Sequence, residues 1–162
     1  MASTPLIDLD SLDLSNILVG PRDLDPYLKQ SGRFRMLQGV LHEDVENGLL
    51  VGFRDITADD WWAQDHIPGR PLFPGALQIE AAAQLSAYDY SAHRAGADVP
   101  KDAFVGFAGV DNARFRGSVE PTCRLYLISK LLRSSRRMFR YQAQAFANGK
   151  MVFEAEILGV VF

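Results

Sequence analysis

The chain has 162 residues, a formal net charge of −3 at pH 7, and a composition that is 48% hydrophobic and 23% charged. That is an ordinary globular balance, long enough for one domain with its own core, and it offers no basic surface to favour nucleic acid. The single cysteine, Cys123, excludes an intramolecular disulfide and a thiolate zinc cluster, and the apolar runs fall short of the roughly 20 residues that cross a membrane.

The N-terminus is acidic and broken by polar residues, which does not fit a signal peptide, so a cytoplasmic setting without a membrane is expected. Residues 1–30 are rich in Leu, Asp and Ser and are interrupted by Pro5, Pro21 and Pro26; they read as a lead-in, loose or short-helical, with one turn near DLDPYLKQ. Residues 31–162 read as a single domain. RFRMLQGVLHEDV and LLVGFRDI are strand-like and meet across Asn47-Gly48, a hairpin signal that asks for positive φ at both residues.

The stretch from about Gly75 to Arg94 has no internal proline or glycine and is dense in Ala, Leu and Gln, which predicts a helix of about 20 residues. AFVGFAGVDNARFRG, RLYLISKLL, RRMFRYQAQAFA and MVFEAEILGVVF follow as strand candidates, the last two flanking a second turn at Asn148-Gly149. In the final strand Val152, Glu154, Glu156 and Leu158 are expected on one face, with Phe153, Ala155 and Ile157 on the other. The helix is apolar around most of its circumference and so is expected to be buried. The outline is α+β, with a long central helix wrapped by a curled antiparallel sheet.

Chemistry concentrates in DHIPGRPLFPGALQIEAAAQ, Asp65 to Gln84. Glu80 and Gln84 lie four residues apart on one face of the predicted helix, and a carboxylate in such apolar surroundings needs a polar cavity, an interface or a partner. Pro68, Pro71 and Pro74 stiffen the loop that carries His66. Gly75 opens the helix, where free N–H groups and the absence of a side chain allow a ligand oxygen to approach. Taken singly, His66 reads as a loop histidine bonded to a carbonyl, and Glu80 as a surface carboxylate. Together, a histidine, a carboxylate and free helix amides can move a proton beside a polarised carbonyl.

This stretch closely resembles the signature of the 3-hydroxyacyl-[acyl-carrier-protein] dehydratases of the FabZ and FabA type. GVDNARFRGSVEP, Gly109 to Pro121, resembles a second block of that family. The resemblance implies a hot-dog fold and a homodimer, with a trimer of dimers left open, in which His66 of one subunit meets Glu80 of the other. It implies reversible loss of water from a (3R)-3-hydroxyacyl thioester of acyl carrier protein. His66 would be the base, Glu80 the acid, the Gly75 N–H the oxyanion donor, and Gln84 the group that orients Glu80. No metal or redox cofactor is called for. Glutamate in the helix, rather than aspartate, favours the FabZ-like activity over the isomerising FabA-like one. Asp65 and Ile67 depart from the usual glycine and aromatic residue around the histidine, setting a negative charge beside the base. Arg114 and Arg116 are candidates for contact with the acidic carrier protein. The alternatives are a hot-dog acyl thioesterase and a non-catalytic module that binds acyl chains or the carrier.

Overall fold

A computed structural model of the chain describes residues 3–100 and 102–162. Six strands form one antiparallel sheet: β1 (Gly39–Asp44), β2 (Leu49–Ile56), β3 (Val105–Phe115), β4 (Cys123–Ser134), β5 (Met138–Ala147) and β6 (Lys150–Val161), in the spatial order β1-β2-β4-β5-β6-β3. The sheet curls around a long helix, α2 (Gly75–Asp89), which packs against β2 to β6. This is the expected hot-dog fold. A four-residue helix, α1 (Pro21–Leu24), and two 3₁₀ turns occupy the chain before β1.

The long helix begins where expected, but it is α-helical only to Asp89. Tyr90–Arg94 continue as a π turn closed by the Ala95 N–H on the Tyr90 carbonyl at 2.8 Å. A buried network accompanies the change. Asp89 is fully buried and accepts from Tyr141 Oη at 2.6 Å and Arg94 Nε at 3.2 Å. Burial, followed by the adjacent carboxylate, pushes the Tyr141 phenol far above its ordinary range and keeps it a donor.

The two Asn-Gly turns diverge. At Asn148-Gly149 both residues take positive φ (51° and 73°), and Ala147 pairs with Lys150, as a two-residue hairpin requires. At Asn47-Gly48 only Gly48 does (φ 64°). There Asp44 accepts from the Asn47 backbone at 3.1 Å and side chain at 2.8 Å, which holds a four-residue loop instead of the expected two-residue turn. The first strand is also shorter than its pattern. Residues 33–37 do not join the sheet: the Met36 and Leu37 N–H groups bond the side chain of Gln84, and contact with β2 begins at the Gln38 N–H on the Phe53 carbonyl.

Alternation in β6 holds for Phe153, Ala155 and Ile157, which are buried, and for Glu154, Glu156 and Leu158, which are half-buried. Val152 departs from it and is buried, next to a register shift at Ala145/Phe146 in the partner strand. Further along, Phe139 lies directly across Gly159, where an added Cβ would sit 2.0 Å from a ring carbon. Gly159→Ala is therefore expected to lower stability by about 1–3 kcal/mol through overpacking, read as a lower denaturant midpoint with unchanged slope.

Residues before α1 cross the outer face of the sheet. Leu6, Ile7, Leu9, Leu12 and Leu14 pack over Val51, Ile128 and Phe146. Buried Gln144 grips the segment from both sides, accepting from the Leu6 N–H at 2.8 Å and donating to the Thr4 carbonyl at 3.0 Å. Further on, Val19 bridges to Val40 and covers the outer edge of β1.

Candidate active site

His66 sits in the loop between β2 and α2, and that loop is braced at several points. Trp62 is buried edge-to-face on Phe73 with ring centroids 5.2 Å apart, whereas its neighbour Trp61 is exposed. Arg54, also buried, donates to Asp60 at 2.8 Å and stands over the Phe73 ring. Burial pushes the Arg54 guanidinium down, while Asp60 opposes the shift. The Phe73 N–H then bonds the Val119 carbonyl at 2.8 Å. The loop's rigidity therefore comes from these anchors as well as from the prolines.

Within the loop, the His66 backbone donates to Trp62 and its Nδ1 lies 2.8 Å from the Leu72 carbonyl oxygen. A carbonyl can only accept, so Nδ1 carries the proton and the neutral ring presents Nε2 as its basic nitrogen. The ring is exposed in the protomer. Asp65 forms no ion pair with it among the described residues.

Glu80 lies one turn before Gln84 on α2, as the spacing predicts, and accepts the Gln84 Nε2–H at 2.8 Å on Oε1. Gln84 is 1% exposed, and all its polar capacity is used. Its oxygen accepts from Met36 N (2.8 Å) and Leu37 N (3.0 Å), and its nitrogen also donates to the Phe34 carbonyl (2.8 Å). The amide orientation is thus dictated by backbone partners that cannot reverse their roles, which forces an N–H toward Glu80. Gln30 also reaches Glu80 Oε1, at 3.4 Å. Sequence reasoning missed Gln30, since a lone polar residue in an aperiodic segment carries no signal.

At the helix start, the Gly75 and Ala76 N–H groups have no acceptor among the described residues. Gly75 is also covered by Phe115: a Cβ would come within 2.8 Å of that ring. A side chain at this position would have to displace the exposed Phe115 ring. Glu80 borders a cavity of about 30 Å³ with Gln30, Ala83, Ala87, Phe107 and Gly159, and this adjoins, across Val105, a groove of about 520 Å³ beside Tyr27 and Tyr90. Within one protomer the structure does not join His66 to Glu80 by a hydrogen bond; each is bonded to other groups. Among the described residues no group of three or more His, Cys, Asp or Glu side chains is gathered as a metal site would need.

Arg114 and Arg116 are separated by the irregular end of β3. Arg114 stands opposite Glu154 after a register shift, whereas Arg116 lies beyond the strand and donates through Nε to Glu154 at 3.0 Å. Burial alone would raise the Glu154 carboxyl, but the Ser3 hydroxyl and the Arg116 guanidinium hold it below the usual carboxylate range. Arg114 makes no ion pair among the described residues.

The profile of the FabA-like domain matches residues 28–156, which spans the loop, the helix, strands β1 to β5 and the first half of β6. The chain belongs to the FabA-like family. The FabZ 3-hydroxyacyl-[acyl-carrier-protein] dehydratase of Syntrophotalea carbinolica is 37% identical to it over 119 residues, 73% of this chain and 79% of the relative. That of Dichelobacter nodosus is 30% identical over 145 residues, 86% and 94% of the two chains. Among solved structures, the dehydratase heterocomplex ApeI:P from Xenorhabdus doucetiae superposes on this FabA-like chain with a TM-score of 0.68 at 15% identity, covering 85% and 89%. A mutant thioesterase from Pseudomonas aeruginosa gives 0.62 at 16%, covering 93% and 94%. At those identities the two structures speak for the fold alone. No described helix of this FabA-like protein is long and apolar enough to cross a membrane.

Proposed function

We propose that this protein is a FabZ-like dehydratase, removing water from a (3R)-3-hydroxyacyl thioester of acyl carrier protein to give the trans-2-enoyl thioester, in fatty-acid or related lipid biosynthesis. Its setting would be cytoplasmic. His66 Nε2 takes the proton from C2, the electrons form the C2–C3 double bond, and the C3 hydroxyl leaves as water with a proton from Glu80. The Gly75 N–H, at the positive end of α2, faces the thioester oxygen as enolate character develops. Both proton transfers are made by side chains, so the scheme calls for neither metal nor redox cofactor.

The observation that carries this reading is the division of hydrogen bonds at His66, with Nδ1–H committed to Leu72 and Nε2 left as the base. The site is completed by a second protomer, whose Glu80 faces this His66. Strand β3 supports such a homodimer: it is an 11-residue sheet edge with exposed Phe107 and Phe115, a surface that monomers rarely leave uncovered. Carrier protein engages Arg114, while Arg116 is occupied by Glu154.

The purified protein is expected to hydrate crotonyl and longer enoyl thioesters, followed as loss of enoyl absorbance. Release of free thiol instead would identify a thioesterase. Thioester binding without turnover would identify a non-catalytic module.

A further inference from the structure

Glu80 Oε1 receives two N–H donors of different origin. One is Gln84 on its own helix, at 2.8 Å; the other is Gln30, from the segment between α1 and β1, at 3.4 Å. No described group bonds Oε2. Gln30 is half-buried and borders the same small cavity as Glu80.

The backbone that carries Gln30 is held by a single arginine. Arg35 turns back over the segment, donating from Nε to the Gln30 carbonyl at 2.8 Å and from Nη2 to the Leu28 carbonyl at 3.3 Å and Asp25 at 3.1 Å. The Arg35 side chain is only 14% exposed, and Leu24 and Leu28 root the same segment in the core. A planar guanidinium spanning several acceptors holds a chain more rigidly than a lysine could.

From this we infer that Gln30 is a positioning residue for the proposed acid: with Gln84 it pins Glu80 by Oε1 and leaves Oε2 as the oxygen that delivers and recovers the proton, while Arg35 sets Gln30 in place. The inference rests on the dehydratase reading above. Gln84 alone restrains Glu80 from within the helix, along one direction. Gln30 supplies a second direction, which stops the carboxyl from rotating about its final torsion. Catalytic contacts are often long before substrate closes the site, and a bond to a charged oxygen strengthens as water is excluded.

The test uses the full chain and a crotonyl thioester. Gln30→Met keeps side-chain length and removes the donor. It is expected to lower kcat by roughly tenfold, the scale of one hydrogen bond to a charged group, with KM within twofold and the melting temperature unchanged. Gln30→Ala gives the same reading should methionine pack badly. Adding Arg35→Lys to Gln30→Met should cost no more than a further twofold, because both substitutions break one relay. Wild-type kcat in Gln30→Met overturns the inference alone. A loss that appears equally in KM or in melting temperature also overturns it, by reducing Gln30 to a structural part. Absence of turnover in the wild type overturns the inference together with the dehydratase reading.

Discussion

Replacing His66 with alanine is expected to reduce enoyl-thioester hydration by roughly 10²–10⁴-fold, the contribution of a positioned acid–base group, while the melting temperature stays near that of the wild type. The two effects separate because the imidazole is exposed and makes one hydrogen bond, to the Leu72 carbonyl. The loop it leaves behind keeps its own supports, namely Trp62 on Phe73, Arg54 on Asp60, and the Phe73 N–H on Val119. A lost surface hydrogen bond to a carbonyl costs about 1 kcal/mol at most. Thermal melts of His66→Ala alongside turnover would check both halves. Turnover at the wild-type rate would remove His66 from the chemistry altogether.

The largest expected loss of stability lies one turn beyond the carboxylate. Gln84→Leu removes a side chain that satisfies the Met36 and Leu37 N–H groups and the Phe34 carbonyl, and leucine can bond none of them. Each buried group left unpaired costs about 1–3 kcal/mol, so roughly 3–9 kcal/mol is expected for the set of three. That is a large share of the 5–15 kcal/mol typical of a whole domain. The damage is directional. Residues 34–37 would separate from α2, and Glu80 would lose its 2.8 Å donor, so activity falls together with the urea midpoint. A Gln84→Leu protein with the wild-type midpoint would show that these bonds do not hold the segment to the helix. His66→Ala and Gln84→Leu thus distinguish a group that reacts from one that holds.

What could be read in the residues, and what could not, follows from how local each signal is. The central helix, the Asn148-Gly149 hairpin and the Glu80–Gln84 pair rest on spacings of a few residues, and the structure places each as its pattern predicts. The failures came where a distant group decides. Residues 33–37 look like strand by composition, yet the Met36 and Leu37 N–H groups are taken by Gln84, almost 50 residues later. Asn47-Gly48 has the hairpin dipeptide, but the Asp44 carboxylate three residues earlier draws the loop longer. Gly75 promises an open approach by its lack of a side chain, but the Phe115 ring over it comes from β3, and no periodicity announces that contact. Gln30 and Arg35 were likewise invisible, since their meaning lies in bonds between a loop and a helix far along the chain.

The segment laid across the outer face of the sheet also bears on how the molecule is made. Leu6 is bonded to a side chain 138 residues further on, and Ser3 to one 151 residues further on. Those partners lie on β5 and β6, far downstream of the segment, so the contacts close some of the longest loops in the fold. The leucines between positions 6 and 14 remain uncovered until the rest of the domain has closed, so the segment is a late latch in folding and contributes little to the folding rate. Until that latch closes, the same leucines form an exposed, sticky stretch on an otherwise folded domain.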